Sequence, residues 1–96
     1  MTPAHEWYVY IVQCSDLSLY TGIARDLPSR IARHNAGTGA RYTRSRRPVV
    51  LVYAEQAPDR SEALRRELEI KRLNAGAKRS LIAGDTDATA FTRCEA

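Results

Sequence analysis

Residues 7–14 read W-Y-V-Y-I-V-Q-C, an almost unbroken run of apolar, aromatic and β-branched side chains. Such a run is typical of a strand that is buried on both faces of a sheet. Residues 15–18 have the composition of a turn, and residues 19–24 predict a second strand. Because the connection is so short, it favours an antiparallel hairpin. We therefore expect a β-hairpin to begin the fold.

The segment after the hairpin predicts a helix with two polar groups on one face. Asp26 is a suitable N-cap, Pro28 falls in the first turn, and Gly37 ends the helix after about residue 35. Arg30 and His34 are four residues apart. They are therefore expected to project from the same side, one turn above the other.

Three further elements follow an expected loop at residues 37–48: a strand at 49–54 that is apolar on both faces, a helix at 61–73, and a short helix at 77–83. Asp59 or Ser61 caps the longer helix, and Gly84 closes the shorter one. The fold class is α/β (α+β): a small three-stranded antiparallel sheet flanked by three helices, in the order β-β-α-β-α-α. We expect the first strand in the centre. Residues 1–84 are predicted to form one domain, and 85–96 a flexible tail.

Positive charge is concentrated in one part of the sequence. The 96-residue chain has a net charge of +4, and residues 25–47 contain seven arginines against one acidic residue, Asp26. A basic face of this kind attracts polyanions, most commonly nucleic acid. A solvated surface that only keeps the protein soluble is the alternative.

The cellular location is predicted from three features that the sequence does not show: a membrane span, a secretory signal and a disulfide pattern. No window approaches the ~18 uninterrupted apolar residues of a membrane span, and the N-terminus lacks the features of a secretory signal. Cys14 and Cys94 are too few and too far apart to indicate a disulfide framework or a zinc site. We therefore expect a cytoplasmic protein with reduced thiols and no membrane association.

Glu67 is the acidic residue that helical spacing places on or beside the buried side of the second long helix. The apolar positions of that helix are Ala63, Leu64, Leu68 and Leu73. A buried carboxylate must be paired, hydrogen-bonded or bound to a metal, because burying it alone is unfavourable. An ion pair with Lys71 on the helix surface is one interpretation, and a metal ligand is the other.

The loop at residues 37–48 contains four arginines and one tyrosine. Arg41, Arg44, Arg46 and Arg47 can bind phosphates through their guanidinium groups, and Tyr42 can stack on a base. A flexible surface loop without a ligand is the alternative interpretation.

Tyrosines, an arginine, a histidine and one carboxylate together suit phosphodiester hydrolysis. One carboxylate can hold a single Mg²⁺ or Mn²⁺ whose remaining ligands are waters. The planar guanidinium of Arg30 suits a pentacovalent phosphate, and His34 can relay a proton or hydrogen-bond the phosphate. A tyrosine can deprotonate water if its pKa is lowered from about 10. Because no carboxylate cluster is present, a one-metal mechanism is expected.

In order and approximate spacing, Tyr8-Val9-Tyr10, Tyr20-Thr21-Gly22, Arg30-x-x-x-His34 and Glu67 resemble the GIY-YIG nuclease domain over residues 7–83. The small stand-alone bacterial members are the most similar. The resemblance implies that Tyr10 and Tyr20 are the paired active-site tyrosines, with Tyr20 as general base. It implies that Arg30 and His34 face the phosphate, and that Glu67 is the metal ligand. Tyr8, Gly22 and Lys71 join the loop residues as expected substrate contacts.

The sequence departs from the family pattern at several positions. Y-V-Y replaces G-I-Y and Y-T-G replaces Y-I-G, although both tyrosines and the second glycine remain. Ile23 stands where some members have lysine, and Asn74 matches the asparagine of other members too poorly to receive its role. Larger relatives carry an added DNA-binding or zinc domain that this sequence lacks, so strong sequence specificity is not expected.

The resemblance implies a Mg²⁺-dependent endonuclease that acts on branched, nicked or single-stranded DNA, in a setting such as DNA repair. Two alternatives remain open from the sequence. One is a binding module that holds nucleic acid through residues 41–47 without cutting it. The other is a subunit whose specificity and activity depend on a protein partner.

Overall fold

The computed structural model describes residues 7–84, which form three strands and four helices. The elements are β1 (Trp7–Gln13), β2 (Leu19–Ala24), α1 (Leu27–Ala36), α2 (Arg41–Arg44), β3 (Val50–Ala57), α3 (Arg60–Lys71) and α4 (Ala75–Ala83). The predicted fold class and the predicted order of strands and longer helices are confirmed. The tail expected at residues 85–96, with Cys94, lies outside the described residues.

The sheet is fully antiparallel with the strand order β2-β1-β3, so β1 is central as expected. Residues 9–12 of β1 are each at most 1% exposed, because helices cover both faces of this strand. Tyr10 lies opposite Gly22 of β2 on one side and Ala54 of β3 on the other. The hairpin and the central strand therefore agree with the sequence prediction.

Two hydrophobic clusters lie on opposite faces of the sheet. The α1 side contains Tyr10, Val12, Cys14, Ala24 and Val49, with Leu27 and Ile31 packed against them. The α3 and α4 side contains Val9, Ile11, Ala57, Ala63, Ile70 and Leu81. Alternate residues of β1 thus enter alternate clusters, as the two-residue period of a strand requires.

The third strand differs from its prediction in extent and burial. β3 begins at Val50, one residue late, and continues to Ala57. Val50 and Leu51 are exposed, so the strand is not buried on both faces. The reason is its position at the edge of the sheet, where helices cover less of the strand.

The loop expected at residues 37–48 contains a short helix, α2, which corrects the sequence prediction. Its Thr43 is completely buried and hydrogen-bonds to the backbone and to α1. A buried polar side chain with partners in the protein holds this turn of helix in place, so the segment is not a free surface loop.

The orientation of α3 also corrects an expectation. Its buried residues are Ala63 and Ile70, whereas Leu64 and Leu68 are exposed. The small Ala63 packs against the sheet, and an ion pair of 2.6 Å between Arg66 Nε and Glu55 Oε2 of β3 holds the helix in this rotation.

Helix capping follows the predicted chemistry with one shift of position. The Asp59 side chain accepts a hydrogen bond from the Glu62 backbone N–H and caps α3. Asn74 likewise accepts from the Ala77 backbone N–H, so α4 begins at Ala75 instead of residue 77. Within the described range, each helix is too short or too polar to cross a membrane.

Candidate active site

A hydrogen-bonded chain of buried side chains connects β1, α1 and α2. The Tyr10 hydroxyl lies 2.9 Å from His34 Nε2, and His34 Nδ1 lies 2.9 Å from Thr43 Oγ1. Thr43 Oγ1 in turn donates to the Ala40 carbonyl oxygen, which can only accept. Because that bond uses the only hydroxyl proton of Thr43, His34 Nδ1–H must donate to Thr43. His34 Nε2 then accepts the Tyr10 proton, and the imidazole is neutral.

Burial determines the protonation of this chain. Desolvation, with a smaller contribution from the positive charge of Arg30, lowers the pKa of His34 below its ordinary value of 6.5. Burial and the neighbouring phenol of Tyr20 raise the pKa of Tyr10 to about 12, against the opposing effect of Arg30. Both groups are therefore neutral at pH 7, as the hydrogen-bond pattern requires.

The lowered pKa of His34 predicts a loss of stability in mild acid. Between the folded and unfolded pKa values the unfolded chain binds more protons, so the free energy of unfolding falls as the pH drops below about 6.5, by at most about 1.4 kcal/mol per pH unit. Denaturant unfolding at pH 7, 6 and 5 should show a steeper decline for wild type than for His34→Gln.

A second titrating group does not interfere with this measurement. Hydrogen bonds from Ser18 lower the pKa of Asp16 from its ordinary value of 3.8, so its carboxylate changes charge at lower pH. Parallel pH profiles of wild type and His34→Gln between pH 5 and 7 would contradict the assignment of His34 as the buried neutral group.

Tyr20 is the more accessible of the paired tyrosines. It lies at the free edge of β2, is half-buried, and makes an edge-on contact with the His34 ring at 5.5 Å between centroids. Tyr42 of α2 stacks on Tyr20 at 6.0 Å, and the Arg46 guanidinium lies 4.0 Å from the centroid of the Tyr42 ring. The predicted base-stacking residue Tyr42 thus already contacts two groups of the protein.

One cleft collects the predicted catalytic residues of β2 and α1. The catalytic cleft, as we name it, has a volume of about 300 Å³ and is lined by Tyr20, Arg30, Arg33, His34, Thr38, Gly39 and Ala40. Arg30 donates a hydrogen bond of 3.3 Å to the Ile23 carbonyl oxygen and also lies near the Tyr10 hydroxyl, whose pKa it lowers. Arg30 and His34 therefore project toward the tyrosines from one face of α1.

Glu67 lies near this group of residues, on α3. Its negative charge contributes to the raised pKa of Tyr10, and its side chain is 17% exposed. Lys71 Nζ lies 3.2 Å from Glu67 Oε2, so the ion pair considered from the sequence is present. Residues 7–84 contain no group of three His, Cys, Asp or Glu side chains that could hold a metal ion. A metal at Glu67 would therefore depend on this single carboxylate.

Two glycines allow close packing around the hydrogen-bonded side chains of Tyr10, His34 and Thr43. A Cβ atom at Gly22 would lie 2.7 Å from the Tyr10 hydroxyl oxygen, because the Tyr10 ring crosses β2 at this residue. A Cβ atom at Gly39 would lie 2.5 Å from His34 Nδ1 and 2.9 Å from its Cα. Gly22 agrees with the resemblance. Gly39 and Thr43 are not found by sequence reasoning, since neither stands in a motif or a periodic pattern.

The arginines of residues 41–47 have different roles in the structure. Arg46 pairs with Asp16 at 3.1 Å and donates to the Tyr42 carbonyl oxygen, whereas Arg47 donates to the carbonyl oxygens of Arg44 and Asn35. The side chains of Arg41 and Arg44 are exposed and have no partner within residues 7–84. Two of the four predicted phosphate-binding arginines thus hold the segment itself in place.

Tyr8 lies farther from the site than Tyr10. It is opposite Ala24 and Gln56 in the sheet and is half-buried, without a hydrogen bond to another described residue. The structure therefore brings together Tyr10, Tyr20, Arg30, His34 and Glu67, with Lys71 beside Glu67, and leaves Tyr8 outside the catalytic cleft.

This fold and site define a class: a small α+β domain in which a β-hairpin supplies paired tyrosines, one helix supplies Arg and His, and a second helix supplies one carboxylate. The model of the GIY-YIG catalytic domain family matches residues 6–80. The chain belongs to the GIY-YIG family, as the resemblance predicted.

Individual relatives agree with this membership. The chain is 58% identical over 77 residues to a UPF0213 protein of Desulfotalea psychrophila, covering 79% of this chain and 70% of that one. It is 57% identical over 75 residues to a UPF0213 protein of Staphylococcus haemolyticus, covering 78% and 92%. The solution NMR structure of a UPF0213 protein from Bacillus halodurans matches with a TM-score of 0.54 at 40% identity, covering 91% and 93%.

Proposed function

We propose that this protein is a Mg²⁺- or Mn²⁺-dependent endonuclease that hydrolyses phosphodiester bonds in DNA. The observation that carries the proposal is the convergence of two phenols, a guanidinium and an imidazole around the catalytic cleft, with one carboxylate nearby. Membership of the GIY-YIG catalytic domain family supports nuclease chemistry. A cytoplasmic location and a role in DNA repair belong to the same proposal.

The two tyrosines are proposed to have different roles. Tyr10 is 1% exposed, its pKa is raised to about 12, and it donates its proton to His34. It is therefore suited to position the site and unsuited to remove a proton at neutral pH. Tyr20 lines the cleft and is accessible, so we assign it, in its phenolate form, the deprotonation of the attacking water.

Arg30 is the proposed electrostatic partner of the phosphate. Its guanidinium borders the cleft, and the described residues offer it a backbone carbonyl oxygen but no carboxylate. A planar donor without a counter-ion can interact with the charge that accumulates on a pentacovalent phosphate. His34 contributes mainly through Tyr10, because its two ring nitrogens are both used in the buried chain.

The donor set is compatible with a single hard cation. Mg²⁺ commonly keeps several waters and uses one or two protein carboxylates together with substrate phosphates. Glu67 would be that carboxylate, and Lys71 would have to release the oxygen it now pairs with. The bound cation would neutralise charge on the leaving oxygen. In this proposal Glu67 holds the cation, Tyr20 acts on the water, Arg30 acts on the phosphate, and Tyr10 positions the site.

Removal of the metal tests the proposal directly. Cleavage of single-stranded, duplex, nicked and branched DNA is measured with Mg²⁺, with Mn²⁺ and with EDTA. We expect cleavage with either cation, no cleavage in EDTA, and faster cleavage of branched, nicked or single-stranded substrates than of intact duplex. A mock purification without the expressed protein excludes a contaminating nuclease. Cleavage that continues in EDTA would overturn the metal assignment.

The ion pair between Glu67 and Lys71 favours a second candidate, a nucleic-acid-binding module on the same fold. A carboxylate that stays paired with lysine does not bind a cation, and the exposed basic groups remain able to hold DNA. Salt-sensitive DNA binding without cleavage in any metal would support this module. Cleavage that appears only when a protein partner is added would support the partner-activated subunit, whose partner would supply the specificity.

A further inference from the structure

A second cleft lies on the other side of Tyr20, along the free edge of β2. We name it the β2-edge cleft. It has a volume of about 230 Å³ and is lined by Leu19, Tyr20, Thr21, Tyr42, Lys71 and Lys78. Because Tyr20 lines this cleft and the catalytic cleft alike, anything bound here would lie directly beside the group proposed to act on the water.

Thr21 lines this cleft and carries an unexplained polar atom, its Oγ1, which the surrounding groups close off from solvent. Its residue is 3% exposed, and its Oγ1 has no hydrogen-bond partner among residues 7–84. A buried hydroxyl without a partner is unfavourable and uncommon in folded proteins. A ligand that hydrogen-bonds Oγ1 would account for it.

Lys78 supplies an unpaired positive charge to the same cleft. It is half-buried on α4, and no carboxylate among the described residues pairs with it. Lys71, by contrast, is half-exposed and paired with Glu67. An ammonium group at a cleft without a carboxylate partner attracts an anionic ligand. A phosphate group would serve as that partner.

The remaining walls of the cleft suit one aromatic base. Tyr42 already has Tyr20 stacked on it and Arg46 over its ring, so a base contacts the parts of the two rings that these contacts leave open, together with the apolar surface of Leu19. Aromatic side chains beside basic groups are the usual means of binding unpaired nucleotides. The volume is below the roughly 300–1,000 Å³ of clefts that take drug-sized ligands. One base fits this space, and a base pair does not.

We propose that the β2-edge cleft binds one unpaired nucleotide adjacent to the cleaved phosphate. The base lies against the open parts of Tyr20 and Tyr42 and hydrogen-bonds Thr21 Oγ1 once the groups that cover this atom move aside, while Lys78 contacts the neighbouring phosphate. That the adjacent phosphate is the one cleaved depends on the endonuclease activity proposed above. The β2-edge cleft would also explain a preference for DNA with unpaired nucleotides. Intact duplex must first unpair a base before that base can enter the cleft, and this cost weakens the binding of duplex.

Binding measurements in EDTA test the cleft separately from the chemistry. The probes are fluorescein-labelled DNA duplexes of one sequence, either fully paired or carrying one unpaired nucleotide, measured by fluorescence anisotropy. We expect wild type to bind the probe with the unpaired nucleotide at least about fivefold more tightly than the paired probe, since one stacked base contributes about 1–3 kcal/mol.

Two variants identify the residues that produce this preference. Thr21→Val should keep or raise the melting temperature, because it removes a buried hydroxyl without a partner, and should weaken binding of the unpaired-nucleotide probe about fivefold. Lys78→Gln should weaken it about tenfold and reduce the slope of log K against log salt by about 0.7–0.9. Arg72→Gln, which removes an exposed charge from outside the cleft lining, is the matched control and should change neither quantity.

The possible outcomes separate this inference from the proposed function. Equal affinity for both probes, or Thr21→Val and Lys78→Gln indistinguishable from Arg72→Gln, would overturn the β2-edge cleft even if the protein cuts DNA. Weaker binding of the unpaired-nucleotide probe by both variants than by Arg72→Gln supports the cleft even if no metal restores cleavage, in which case the endonuclease proposal alone fails.

Discussion

Glu67→Gln is expected to lower the rate of DNA cleavage by at least about 100-fold, because the amide has the size of the carboxylate but not the charge that holds a cation. The affinity for DNA in EDTA should change by less than about threefold. Loss of the ion pair with Lys71 frees a lysine, so any change in affinity should be toward tighter binding. Single-turnover cleavage and anisotropy on the same preparation provide both values.

A carboxylate on the same helix serves as the control. Glu62 is half-exposed, and its charge pairs with Arg65, which also pairs with Glu69. Surface pairs of this kind contribute little to stability, so Glu62→Gln should cleave at the wild-type rate. Equal rates for Glu67→Gln and wild type would remove Glu67 from the mechanism. Equal losses in the two variants would indicate a nonspecific effect of charge.

Gly22→Ala is expected to lower both stability and activity. The new Cβ would lie 2.7 Å from the Tyr10 hydroxyl oxygen and 2.9 Å from its Cζ. Tyr10 is buried and bound to His34, so its ring cannot move away without breaking that hydrogen bond. Overpacking of this kind typically destabilises by about 1–3 kcal/mol, and at about 4–8 °C per kcal/mol the melting temperature should fall by roughly 5–20 °C.

The activity of Gly22→Ala should fall by at least about tenfold at a temperature where the variant remains folded, because small displacements in an active site have large effects on rate. Gly76→Ala is the matched control. It lies in α4, and the nearest atom to its added Cβ is Asn74 Oδ1 at 3.5 Å. Gly76 lies in the first turn of α4, where the advantage of alanine is smaller than the about 0.5–1 kcal/mol of a helix interior, so this variant should be at least as stable as wild type. A Gly22→Ala protein as stable and active as wild type would contradict the close packing of Tyr10.

The charge of the segment at residues 41–47 illustrates a limit of sequence reasoning. Seven arginines in residues 25–47 are visible in the sequence and indicate a polyanion. Which of them is available depends on contacts that are distant in the chain. Arg46 reaches Asp16, thirty residues away, and Arg47 reaches the Asn35 backbone. Arg33 and Lys78, not assigned to the site from the sequence, line the clefts on either side of Tyr20.

The sequence by itself determines the elements whose signals are local. The apolar run of β1, the turn after it, and the caps at Asp26 and Asp59 depend on neighbouring residues, and the structure agrees with each. The ordered tyrosines, Arg30, His34 and Glu67 are likewise readable as a motif. Their convergence needs only the hairpin and two helices packed on its sheet.

Only the tertiary structure shows where Gly39, Thr43, Thr21 and Lys78 lie relative to the site. Thr43 orients His34 across nine residues, and Gly39 leaves the space for that contact. Thr21 and Lys78 come from separate elements and meet at one cleft. Hydrogen bonds and packing depend on distances in space, and no periodicity or capping rule encodes those distances for residues far apart in the chain. The residues proposed for the chemistry can therefore be identified from the sequence. The residues that position them, Gly39 and Thr43, and the β2-edge cleft can be identified only from the folded structure.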